Sequence, residues 1–162
     1  MEEYENNITM HAKEALHASL AQCYVTIKEN RYNFMQAKNI EVNFEIEKTQ
    51  LGILGKTGKA NRSTNWKGTG SATFYFNTSI FREMMLEYKK TGKITYFDIA
   101  ISNYDPNSSA GVQTVILKDC SIDGGILAKF DVDGEFLEED MDFTYEDFEI
   151  PEKFALLEGM LQ

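Results

Sequence analysis

Residues 40–47 read Ile-Glu-Val-Asn-Phe-Glu-Ile-Glu, an unbroken alternation of apolar and polar side chains. A helix turns about 100° per residue and would scatter these side chains around its axis, whereas a strand sorts them onto two faces. This stretch therefore predicts a long amphipathic strand with Ile40, Val42, Phe44 and Ile46 toward a core and Glu41, Asn43, Glu45 and Glu47 the opposite way. A second stretch, Trp66–Ile101, couples strand to helix to strand. Gly70, Ala72, Phe74 and Phe76 alternate with Thr69, Ser71, Thr73 and Tyr75. Thr78 or Ser79 can then cap a helix over about 78–91 with Phe81, Met84, Met85 and Tyr88 at helical spacing. Lys89 and Lys90 suit its C-terminal dipole, and Gly92 its left-handed close.

Most other segments also read as strand. Gln22–Ile27 rises, Lys28-Glu29-Asn30 turns, and Tyr32 starts a return. Leu51–Asn65, rich in glycine and small polar residues, predicts a long loop that orders on a partner. Asp105–Gly111 is a loop and Val112–Leu117 a strand. Gly124-Gly125 leads into Ile126, Ala128, Phe130 and Val132, a further alternating strand, and another runs through Met141, Phe143 and Tyr145. The tail after Pro151 can make helical turns with Phe154, Leu157 and Leu161 inward, and a short helix fits Thr9 to Leu20. The expected organisation is an N-terminal arm over 1–20 and a single domain over 21–162. Its fold class is mainly β, a small barrel or sandwich of antiparallel strands with one flanking helix.

With 162 residues and a net charge of −10, the chain is one domain whose surface disfavours nucleic acid and anionic membrane. No apolar run approaches a membrane span, and the acidic opening MEEYENNITM does not look like a signal peptide, so a cytoplasmic product is expected. Cys23 and Cys120 lack metal or disulfide spacing and read as reduced core thiols. His11 and His17 do not share a helical face.

The motifs that carry chemistry fail when counted. A phosphate-binding loop ending at Lys56-Thr57 needs glycine at position 50, where Gln50 stands. Gly68-Thr69-Gly70 leads into a strand rather than a helix, which suits close approach of backbones. Aligning Gly134 with the glycine of a calcium loop puts Lys129 at the first ligand position. No nucleophile is paired with a base, so no catalytic residue, metal or cofactor is assigned. Ten acidic residues and no basic one lie between Asp131 and Glu149; a solvated strand face is the plain reading.

WKGTGSATFYFNTSIFREMMLEYKKTGKITYF, followed by FLEEDMDFTYEDFEIPEKF, resembles the tail tube protein of contractile phages of the PBSX-like type and of phage-tail-like bacteriocins. The likeness spans roughly Gln22 to Phe154, with KGTGSATFY and FTYEDFEIPE as its most specific pieces. It implies a structural, non-enzymatic subunit of hexameric rings stacked into a hollow tube. The tube would lie inside a sheath, carry tape-measure protein or DNA in its lumen, and end at a baseplate and a terminator. The subunit would be assembled in the host cytoplasm, would become part of the virion tail, and would have no membrane partner. On that reading Glu41, Asn43, Glu45 and Glu47 line the lumen. Lys56, Lys59 and Arg62 of the loop would meet Glu138, Glu139 and Asp140 of an adjacent copy. A monomeric ligand-binding barrel of lipocalin type and, further off, a carboxylate hydrolase are the competing classes.

Overall fold

The structure is a computed structural model that describes residues 9–161. Eight strands, all paired antiparallel, form two sheets that share one member. They are β1 (Ala21–Ile27), β2 (Asn30–Asn33), β3 (Ala37–Leu51), β4 (Ala60–Tyr75), β5 (Phe97–Tyr104), β6 (Val112–Ile122), β7 (Glu138–Tyr145) and β8 (Asp147–Glu152). The helix α1 spans Ile80–Thr91. The first sheet runs β2-β1-β5-β6-β8 and the second β3-β4-β7, with the last residues of β6 added at its far side. The strand β6 changes sheets beside Asp119, which has φ 52°, next to a register shift against β5. A bulge of that kind bends a strand and lets it turn a corner between packed sheets.

Alternation decides the inner faces. Val25, Ile99 and Leu117 of the first sheet meet Ala72, Phe74, Met141 and Phe143 of the second, all buried. The helix closes one end. Its Phe81 and Met84 are buried, and the Phe81 ring packs against those of Phe34 and Phe74 at centroid distances of 5.8 and 5.3 Å. Gly92 takes φ 72° and donates its N–H to the Tyr88 carbonyl at 2.8 Å, the left-handed stop predicted from the sequence. The Ser79 side chain makes no capping bond; the Ile80 N–H reaches Thr78 Oγ1 at 3.4 Å instead. The β1–β2 turn holds Lys28 and Glu29 at φ 47° and 72°, the doubly left-handed geometry that matches strand twist in two-residue hairpins.

Gly68 and Gly70 are buried in β4 because aromatic rings of β7 lie over them. A Cβ on Gly70 would stand 2.3 Å from Phe143 Cζ, and one on Gly68 2.2 Å from Tyr145 Cζ. The approach is thus ring to backbone, where the sequence predicted backbone to backbone. Tyr145 is held in place by donating its hydroxyl to the Asn43 carbonyl at 2.8 Å.

Five expectations change. The loop predicted over Leu51–Asn65 shrinks to residues 52–59, because β3 and β4 continue as a hairpin; its polar residues lose alternation since both faces are exposed there. Arg62 consequently sits on β4, paired with Thr49, and not in a loop. Ile126–Val132 has strand periodicity but joins no strand among the described residues and runs as an irregular segment. The tail after Glu152 is not helical, and Leu161 is exposed. From Thr9 to Leu20 only Ala12–Glu14 is helical, as one 3-10 turn. The described part of this arm is held by the 105–110 loop: Glu14 Oε2 accepts from Ser109 Oγ at 2.7 Å and the His17 N–H donates to Asp105 at 3.0 Å.

Candidate assembly surfaces

The register places Glu41 beside Ser71 and Asp142, and Asn43 beside Thr69 and Thr144. All four residues assigned to the polar face of β3, Glu41, Asn43, Glu45 and Glu47, are exposed on the outer side of the second sheet. Asp140 and Asp142 of β7 share that side, so the acidic face crosses three strands. Lys67 answers it from β4, its Nζ 3.5 Å from Glu45 Oε2.

The strand β3 pairs only with β4 and presents its other edge, unpaired among the described residues, over its length. On the opposite flank β7 is joined to β6 only through Ser121 and Ile122. Long free edges are sites for pairing with another chain. The β3–β4 hairpin projects beyond the sandwich, with Leu54 fully exposed at its tip beside Lys56 and Lys59.

The predicted acidic partners divide. Glu139 is buried, with 4 % side-chain exposure, and its Oε2 accepts from Arg82 Nη2 at 2.8 Å. It is therefore unavailable to a neighbouring copy, a correction to the sequence reading. Glu138 bonds Lys38 within the chain, and Asp140 accepts from Thr73 Oγ1 at 2.7 Å. Arg82 also donates to the Thr78 carbonyl and, at 3.0 Å, to that of Ile126, and its guanidinium lies 4.3 Å from the centre of the Phe76 ring. Alternation alone places Glu139 on the inner face beside Met141 and Phe143, which is the signal that could have found it.

The sandwich is open on the β3 side. A cleft of about 900 Å³ lies there, walled by Ile40, Val42 and Phe44 from β3 and by Ile101, Val115 and Phe148 across from them. Among the described residues β2 and β3 end the path of paired strands and do not pair with each other. Phe44 stacks on Trp66 at 5.1 Å and meets Phe148 edge-on at 5.6 Å, yet Phe44 and Ile46 each stay 49 % exposed. These two were expected in the core; the first sheet does not extend far enough to cover them. Both thiols are buried, which pushes Cys23 up to about 11 and Cys120 up to about 12, so they stay protonated and unreactive. Among the described residues no group of side chains is arranged for a metal ion, and no helix is long and apolar enough to cross a membrane.

Residues 8–152 match the protein family described as phage tail tube protein. The chain belongs to the phage tail tube family. It is 40% identical over 118 residues to phage-like element PBSX protein XkdM of Bacillus subtilis (strain 168), covering 73% of this chain and 80% of that one. Two solved structures share the tail tube fold at low identity. The tube-terminating cap of the anti-feeding prophage gives a TM-score of 0.61 at 12% identity, covering 96% of this chain and 100% of that one. The sheath–tube complex of an extracellular contractile injection system, in its extended state, gives 0.52 at 9%, covering 86% and 93%.

Proposed function

We propose that this tail tube protein builds hexameric rings that stack into a tube whose lumen is lined by the acidic face of β3, β4 and β7. The observation that carries this reading is the pairing of an exposed carboxylate face with a free edge on the same sheet. Head-to-tail contact of the β3 edge of one copy with the β7 flank of the next continues the sheet around a closed ring. The core face points into each subunit, so Glu41, Asn43, Glu45 and Glu47, joined by Asp140 and Asp142, face the channel. A basic wall would hold DNA through many phosphate contacts. The acidic one repels it and acts as a non-stick lining for DNA, or for a tape-measure protein before it.

The role is structural and needs no catalytic residue or cofactor. A sheath outside, with baseplate and terminator at the ends, completes the partner set. Assembly takes place in the host cytoplasm, and the finished protein is a component of the virion tail or of a bacteriocin particle. The hairpin tip with Leu54, Lys56 and Lys59 reaches the adjoining ring, with Arg62 on its flank.

Electron microscopy of concentrated protein tests the reading. Long uniform tubes with Glu41, Glu45 and Glu47 on the channel wall are expected. Glutamine at these three positions should leave tubes intact, whereas lysine should slow or block DNA ejection from an infectious particle. Strictly monomeric protein that takes up an apolar dye in the cleft at high concentration would favour the ligand-binding reading. A map with these carboxylates on the sheath side would end the lumen assignment.

A further inference from the structure

The segment between β6 and β7 carries four strongly exposed apolar side chains. Leu127, Phe130, Val132 and Phe136 are 71%, 86%, 89% and 78% exposed. It has the alternation of a strand and, among the described residues, no strand beside it. Its root is fixed: Arg82 donates to the Ile126 carbonyl at 3.0 Å and Lys129 Nζ to that of Glu138 at 3.1 Å. An anchored root carrying several uncovered apolar side chains marks a contact with another protein.

The covering surface is in the same fold on the other flank. The apolar cleft opens along β3, while the segment leaves from the β7 side, and none of its residues lines the cleft of its own chain. In a head-to-tail ring one flank meets the opposite flank of the next copy. We infer that Ile126–Phe136 is a strap that seats Phe130 and Val132 in the cleft of the neighbouring subunit, against Val42, Phe44 and Phe148. Each phenylalanine of the strap brings about 150–250 Å² of apolar surface. Phe130 and Val132 thus supply part of the roughly 800 Å² that one partner contributes to a stable interface, and the free β3 edge and the β7 flank supply the rest. The cleft of about 900 Å³ has room for both side chains and is walled in part by the half-exposed Phe44 and by Phe148. The strap rests on the ring reading and names the contact that closes each ring.

The test uses the full chain. Phe130→Ser with Val132→Ser removes only exposed side chains, so circular dichroism and the urea midpoint of the dilute protein should stay at wild-type values. The concentration needed for assembly should rise at least about a hundredfold, the loss of two buried apolar side chains. Trp66, the single tryptophan, lies beside Phe44 and reports coverage of the cleft. Its emission should move to the blue when wild-type protein assembles and stay put in the double-serine variant. Separately, Phe130→Cys with Phe44→Cys should give disulfide-linked ladders on oxidation. Ladders without tubes would uphold the strap and remove the tube. Tubes formed by the double-serine variant at wild-type concentration, or a disulfide closed within one chain, would overturn the strap and leave the tube standing. Absence of both ladders and tubes would remove both.

Discussion

Replacing Gly70 by alanine isolates the packing of β7 onto β4. In a strand interior alanine is ordinarily preferred to glycine by about 0.5–1 kcal/mol, through backbone entropy. Here the added Cβ would lie 2.3 Å from Phe143 Cζ and 2.7 and 2.8 Å from its two Cε atoms. Those contacts cannot persist, so the ring or the strand must move. Phe143 is 1% exposed and belongs to the central cluster with Phe74, Met141 and Leu117, which leaves the ring no open space. Overpacking of a closed core costs about 1–3 kcal/mol. That outweighs the entropic gain, and a net loss of about 2 kcal/mol is expected for Gly70→Ala.

Urea denaturation of dilute protein, followed by Trp66 fluorescence and circular dichroism together, measures this loss. Phe143→Leu, which shortens the overlying side chain, supplies the second arm of a double-mutant cycle. If the ring is the obstacle, Gly70→Ala should cost at least about 1 kcal/mol less in the Phe143→Leu background, a coupling typical of side chains in contact. A stabilised Gly70→Ala variant, or costs that simply add, would refute the reasoning.

Arg82→Met should cost about 3–5 kcal/mol because it leaves Glu139 buried without its partner, while Arg82→Met with Glu139→Met should recover most of that loss; thermal melts compare the two. Replacing residues 52–59 by a two-residue turn should leave the urea midpoint nearly unchanged and abolish tubes in electron micrographs, since the segment contributes nothing to the core. Hydrogen bonds from the Ser109 hydroxyl and then its backbone N–H hold Glu14 below its ordinary value of 4.5. Its contribution to docking the N-terminal arm is therefore complete above that value and lost as pH falls through the lowered one. Hydrogen-exchange protection at residues 12–20, corrected for the slower intrinsic exchange in acid, should fall on acidification across that range, and Glu14→Gln should flatten the response.

What could be read from the sequence tracks what the chain satisfies within itself. The strand through Phe74, the helix with Phe81 and Met84, and the stop at Gly92 were legible because each buries its apolar positions against the same chain. The polar hairpin arms at Asn61–Asn65 were not, since a strand exposed on both faces has no reason to alternate. The opposite error arose at Ile126–Val132, where alternation is present but no strand pairs with it among the described residues. Glu139 was misplaced because its acidic neighbours suggested a surface run, although the period of two had already turned it inward beside Met141. The acidic face of β3 was legible from one strand; its continuation onto Asp140 and Asp142 needed the register.

The internal pairing of the acidic residues also changes what should drive assembly. If Lys56, Lys59 and Arg62 met Glu138, Glu139 and Asp140 of another copy, added salt would weaken the tube. Glu139 is committed to Arg82, Glu138 to Lys38, and Asp140 accepts from Thr73. The net charge of −10 on each copy adds a repulsive term between copies. Exposed ion pairs contribute about 0–1 kcal/mol each, whereas a fully buried phenylalanine or valine contributes about 1.5–3 kcal/mol. On the proposed ring reading the attraction comes from strand edges and apolar side chains such as Phe130, with repulsion as the opposing term. Salt shortens the reach of that repulsion, from a Debye length of about 10 Å at 0.1 M to about 3 Å at 1 M. The concentration at which tubes form, measured by light scattering between low and molar salt, should accordingly fall as salt is added. A rise would show that ion pairs between copies carry the interface after all.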